Sequence, residues 1–118
     1  MREVRFYRTA SGQCPVEEFL DGLAGKQAQK VIWVLRLIEE LERVPVQYLK
    51  KLTDADGLWE VRAQHGNDIF RLLGFFAGPD LLVLTSGFAK KSRKTPRREI
   101  ELARSRRADY MKRRQGHE

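Results

Sequence analysis

One cysteine, two histidines and four prolines are all that these 118 residues hold of those types. A lone Cys14 cannot close an internal disulfide, and it fits a reducing compartment. His65 and His117 together with Cys14 match no recognised zinc spacing, and no P-loop or Gly-rich dinucleotide fingerprint is present. Asp54 and Asp56 look like the start of a calcium loop, but the later ligand positions are missing. A turn is therefore expected there, and no metal or cofactor. Long apolar runs are absent too. The longest, Val31 to Leu35, is five residues, which excludes a membrane-spanning helix. The opening Met-Arg-Glu-Val is not a signal peptide, so the expected location is the cytoplasm.

What is present fits one globular domain over residues 1–118. Hydrophobic residues make up 42% and charged residues 33%, a balance that argues against wholesale disorder. The net charge of +7 is unevenly spread. From Phe88 onward there are 12 Lys/Arg against 4 Asp/Glu, a net of +8. Residues 1–87 hold 11 against 12, a net of −1. A solvated basic C-terminal helix and tail, from about residue 95, would produce this asymmetry. So would a footprint for a polyanion, most simply nucleic acid.

The hydrophobic pattern changes period along the chain. Arg2 to Arg8 alternates around Val4 and Phe6 as a short strand would. Pro15 stands at the first turn of a short helix, with Glu17 and Glu18 near its N-terminus. Lys26 to Arg43 is the clearest helix: Val31, Val34, Leu35, Ile38 and Leu41 recur at helical spacing, and Pro45 stops it. Ile32, Trp33 and Leu37 widen that apolar surface, either for burial against a sheet and the first helix or for a protein partner. Beyond Gly57 the period becomes two. Leu58 to Gln64, Ile69 to Phe76 and Leu81 to Thr85 read as antiparallel strands joined by His65-Gly66-Asn67-Asp68 and Ala77-Gly78-Pro79-Asp80. Thr95 is then the expected N-cap, and Pro96 the first residue, of a helix running toward Met111. The order β-α-α-β-β-β-α predicts an α+β fold, a small and mostly antiparallel sheet with helices covering one face.

The middle hairpin carries the first chemical clue. A two-residue turn at Gly66-Asn67 pairs Val61 with Leu72 and Ala63 with Phe70 on a core-facing surface that Trp59 joins. On the other surface Arg62 then lies opposite Arg71. Like charges so placed destabilise a sheet unless something anionic sits between them. Two forked guanidiniums suit a phosphate; alternatively, Glu60 neutralises one and solvent screens the other. A three-residue turn would put the arginines on opposite faces.

Leu58-Trp59-Glu60-Val61-Arg62, His65-Gly66, Ile69-Phe70-Arg71, Gly87-Phe88-Ala89-Lys90-Lys91 and Lys94-Thr95-Pro96-Arg97-Arg98-Glu99-Ile100-Glu101 closely resemble the HigB-like, phage-derived branch of the RelE toxin superfamily. The resemblance runs from the opening strand to about Asp109. It implies a type II toxin: a ribosome-associated endoribonuclease that cuts mRNA and is restrained by a cognate antitoxin, often a helix-turn-helix protein encoded nearby. Arg71 matches the arginine that such proteins place at the scissile phosphate, and Arg62 a basic group on the preceding strand. Lys90 and Lys91 match the basic pair after the Gly-Phe step. Lys94, Lys50 and Lys51, with Arg93 and Arg97, are the implied RNA contacts. The C-terminal aromatic of some relatives has no counterpart here, since Tyr110 lies too far into the last helix.

The chemistry is consistent with those residues. RNA cleavage needs no protein nucleophile, because the substrate's 2′-hydroxyl can attack the adjacent phosphorus. The protein must align the phosphate, stabilise its oxygens and move protons. Arginines stay cationic at physiological pH, and a desolvated lysine among cations can act as base. His65 is a further candidate by residue type, but its turn position favours a structural or solvated role. Metal-independent cleavage is therefore expected. A non-catalytic RNA- or ribosome-binding module of the same fold is the alternative. DNA binding ranks behind both, because no helix-turn-helix pattern is evident.

Overall fold

A computed structural model describes residues 1–91 and 93–115; His117 and the end of the expected basic tail lie outside the described residues. The elements are β1 (Glu3–Phe6), α1 (Pro15–Asp21), α2 (Gly25–Glu40), β2 (Leu49–Lys51), β3 (Trp59–His65), β4 (Asp68–Phe76), β5 (Leu81–Ala89) and α3 (Arg97–Gln115). The expected α+β class and element order stand, with one strand added. β2 spans only 3 residues, too few for an alternating pattern to show in the sequence.

Helix ends follow local chemistry. Pro15 opens α1 with Glu17 and Glu18 in its first turn. At the start of α2 the Ala24 N–H donates to Gln27 Oε1 at 3.0 Å. That helix stops at Glu40, short of the expected Arg43, because Leu41 turns extended at φ −83° and ψ 130°. Arg2 takes up the carbonyls that such an end leaves unpaired, donating to Ile38 O at 2.5 Å and to Leu41 O and Glu42 O at 2.9 Å. α3 opens one residue later than expected: Pro96 O accepts from Glu99 N at 3.0 Å and from Ile100 N at 3.3 Å.

The five strands form one mixed sheet in the order β1-β5-β4-β3-β2. β1 runs parallel to β5, and the other neighbours are antiparallel. α1 and α2 cover one face through Val16, Val31, Val34 and Ile38, packed with Val61, Leu72, Leu82 and Leu84. α3 covers part of the opposite face, where Ile100, Ala103 and Tyr110 meet Leu73, Phe75 and Val83. Helices therefore lie on both faces, not on one as the sequence suggested. The reason is in the central strands: consecutive Leu72 and Leu73 point to opposite sides and are both fully buried.

Two features of the sheet position the site. The β3–β4 hairpin has the expected register, with Val61 opposite Leu72, Ala63 opposite Phe70 and Arg62 opposite Arg71. Gly66 adopts φ +61° in its two-residue turn. Between β4 and β5 the register shifts by a bulge, with Leu73 opposite Ser86 but Gly74 opposite Leu84. Thr85 is the extra residue. Its hydroxyl donates to Leu73 O at 3.2 Å, and Arg106 from α3 donates to Thr85 O at 2.8 Å and Ser86 Oγ at 3.2 Å. The bulge inverts the alternation. Leu82 and Leu84 face α1 and α2, whereas Ser86 and Phe88, opposite Leu73 and Arg71, face the other way. That break explains why alternation alone ends β5 at Thr85 when the strand runs on to Ala89.

Candidate active site

α3 leaves one end of its sheet face open, and the paired arginines stand there. Arg62 and Arg71 converge on a carboxylate that the sequence alone marks only as a neutralising neighbour. Glu60, two residues before Arg62 on β3, is 1% exposed. Its Oε1 accepts from Arg62 Nε at 3.2 Å and lies 3.3 Å from Arg71 Nε. The second contact is an ion pair and not an aligned hydrogen bond, so Arg71 Nε stays buried without a hydrogen-bonding partner. Arg71 Nη1 donates to Phe70 O at 3.0 Å. The other carboxylate oxygen, Oε2, accepts from the hydroxyl of Thr95. That hydroxyl was expected to cap α3; it joins the site instead.

Lys90 completes the cluster. Its backbone N–H donates to Ile69 O at 2.8 Å, carrying the β4–β5 ladder one step beyond Ala89. With the bulge upstream, this step places Lys90 on the face of Arg71. Burial pushes the Lys90 ammonium below the ordinary lysine range; Glu60 opposes the fall, while Arg71, Arg62 and Lys50 add to it. Burial likewise lowers Arg71, again with Glu60 opposing and Arg62 adding. Lys50 pairs directly with Glu60 across β2 and β3 and so shares this face.

A cavity of about 1050 Å³ opens over these groups. Arg62, Arg71, Lys90, Lys91 and Arg93 line it, and Gln27, whose Nε2 donates to Asp68 Oδ2 at 2.9 Å, closes one wall. Five of the sequence-derived site residues thus meet around one space. Lys94 lies in the adjoining loop, exposed. Lys51 pairs with Trp59 and, by alternation, points to the face opposite Lys50. Arg97 is 91% exposed at the start of α3, with its Nε 4.0 Å from Glu101, and is not among the lining residues. His65 is exposed at the end of β3, on the face away from the arginines. Tyr110 packs edge-on against Phe75, with centroids 5.6 Å apart, and its hydroxyl accepts from Arg5 at 3.2 Å, so it belongs to the core beneath α3. Among the described residues, no group of three or more His, Cys, Asp or Glu side chains is arranged to hold a metal, and no helix is long and apolar enough to cross a membrane.

Glu60 was readable in principle. Register and alternation put it on the surface of Arg62 and Arg71; only its depth of burial needed the loop before α3. A cationic cleft at the uncovered end of a five-stranded mixed sheet, with three helices, describes a small α+β protein compatible with a RelE-like fold. The chain belongs to the phage-derived protein Gp49-like family (DUF891), whose family model matches residues 18–108. That family is one of RelE-type, toxin-like proteins. A comparison with curated proteins finds no match.

Proposed function

We propose that this protein is the toxin of a type II toxin–antitoxin pair, a HigB-like endoribonuclease that cuts mRNA on the ribosome in the cytoplasm. The observation that carries the proposal is the Arg62–Arg71 pair, opposed across β3 and β4 beneath the cavity that Lys90 and Lys91 also line. In this reading the two guanidiniums bind the non-bridging oxygens of the scissile phosphate and stabilise the charge that grows there. Lys90 in its neutral form takes the proton of the attacking 2′-hydroxyl. The 2′-oxygen then bonds to phosphorus as the bond to the 5′-oxygen breaks, and the departing oxygen takes a proton from water, leaving a 2′,3′-cyclic phosphate and a 5′-hydroxyl. Lys91, Arg93, Lys94 and Lys50 follow the backbone on either side. Lys51 and Arg97 stand outside the cluster and would contact RNA at most peripherally.

A cognate antitoxin, proposed to be a helix-turn-helix protein encoded nearby, would silence the activity. Inducing the gene with and without its neighbouring reading frame tests the pairing: growth should stop only when the neighbour is absent. Protein stripped of bound metal by a chelator, which is then removed, should cut ribosome-bound message as well as untreated protein does. Binding of ribosomes or RNA with no cleavage would instead identify a non-catalytic module of the same fold.

A further inference from the structure

A carboxylate that merely balanced charge would need one arginine, and the cluster stays cationic with Glu60 included. Glu60 does more than balance. It holds both guanidiniums at the Nε edge, 3.2 Å from Arg62 and 3.3 Å from Arg71. Its second oxygen holds Thr95, 35 residues away in sequence. The basic segment between Lys90 and Thr95 is thereby fastened at both ends, to β4 by the Lys90 N–H on Ile69 O and to β3 by the Thr95 hydroxyl on Glu60. Side chains with many rotamers must be fixed to act on a transition state; a charge-assisted hydrogen bond fixes Arg62, and an ion pair in a buried setting holds Arg71 beside it.

We propose that Glu60 is a positioning residue, a single buried carboxylate that sets the two arginines and docks Thr95, and with it the basic residues around it, beside them. This rests on the ribonuclease reading for its consequence in turnover, but its geometric part can be judged without any cleavage.

Three measurements decide it. Glu60→Gln removes one negative charge from a cationic cleft, so affinity for a 2′-O-methyl RNA oligonucleotide, which lacks the attacking hydroxyl, should hold or tighten. Turnover by the folded fraction, at saturating ribosome-bound message, should nevertheless fall about 10²-fold. A purely structural role would lower total binding and total turnover together, in proportion to the protein that fails to fold, and leave turnover per folded molecule unchanged; that result overturns the proposal. Thr95→Val cuts only the hydroxyl contact and should lower turnover about tenfold, with Thr95→Ser restoring it. Equal activity of the Val and Ser variants also overturns the docking role. Finally, the Nε–H resonances of Arg62 and Arg71 should be ordered in the wild type and should shift or broaden in Glu60→Gln while the amide spectrum persists. Unchanged Nε–H resonances reject the proposal whatever the enzymology. If the wild-type protein cuts no RNA, the ribonuclease reading fails, and these resonances alone still decide whether Glu60 sets the arginines.

Discussion

At the scale of single residues, Arg71 pairs with Glu60 and, in the proposed reading, binds the scissile phosphate, and its substitution must separate the two. Its side chain is only 12% exposed beside the fully buried Glu60, so Arg71→Ala breaks a buried ion pair as well as emptying the proposed phosphate site. Breaking such a pair costs about 3–5 kcal/mol, and the lower end is expected because Glu60 keeps Arg62 and Thr95. Arg71→Lys is the cleaner probe: it retains the charge and loses the fork. Cleavage per folded molecule should drop about 10²–10³-fold, as for other lost transition-state donors; near-normal cleavage by a folded Arg71→Lys would remove Arg71 from the mechanism. Lys90 makes a prediction in pH. Its folded value is lowered, so the neutral, proton-accepting form gains population at lower pH than for a free lysine. The turnover rate should rise with pH and level off below the ordinary lysine range. Lys90→Arg, which cannot deprotonate, should lose that rise. An unaltered pH profile in Lys90→Arg would assign the base elsewhere.

Elements show why some of this was legible and some was not. The hairpin register followed from a two-residue turn and the Val61–Leu72 and Ala63–Phe70 pairs, so the facing arginines could be read directly. Lys50 and Lys51 could not be told apart, because a strand of 3 residues carries no visible alternation. Lys90 and Lys91 posed the same difficulty for another reason: the bulge at Thr85 inverts the faces of β5, and its holding group, Arg106, comes from α3. Only tertiary structure supplies that clamp. Arg106→Met keeps the apolar stem but leaves the Thr85 carbonyl without its charged donor. A loss of about 1–3 kcal/mol is expected for an unsatisfied buried acceptor, measurable by denaturant unfolding. If the strand relaxed by losing its bulge, Lys91 would take the face of Lys90, and turnover would fall by more than the folded fraction does. Gly74, beside the bulge, bears on the same point. A Cβ there would come within 2.3 Å of Val83 O, a backbone atom that cannot step aside. Gly74→Ala should therefore destabilise by about 1–3 kcal/mol, and a neutral result would mean that β4 and β5 separate easily at this point.

Over the whole molecule, the basic last quarter of the chain resolves into two populations. Much of the charge on α3 is engaged within the protein: Arg107 donates to Asp56 O at 2.5 Å, Arg114 to Ala77 O at 3.1 Å, and Arg113 pairs with Asp109 at 2.8 Å. Arg106 holds the bulge, and Arg104 lies 3.5 Å from Asp56. Arg104, Arg107 and Arg114 fasten α3 to the turns beneath it, Arg106 fastens it to β5, and Arg113 pairs within the helix, which is the structural explanation for part of an asymmetry that composition alone assigns equally to a polyanion. The other population, Lys90, Lys91 and Arg93, joins Arg62 of β3 and Arg71 of β4 around the cleft. Lys112 sits near the far end of α3, about 22 Å from Arg97 at ~1.5 Å per residue. That separation exceeds the screening length of about 8–10 Å at physiological salt. The salt dependence of RNA binding should therefore be set by the cleft. With a single-stranded oligonucleotide, Lys91→Gln should reduce the slope of log affinity against log salt by about 0.7, the loss of one phosphate contact. Lys112→Gln should leave that slope unchanged, although both substitutions alter the net charge equally. Equal reductions at the two positions would mean that RNA runs along the whole of α3, and the footprint would then have to be redrawn from the cleft to the helix.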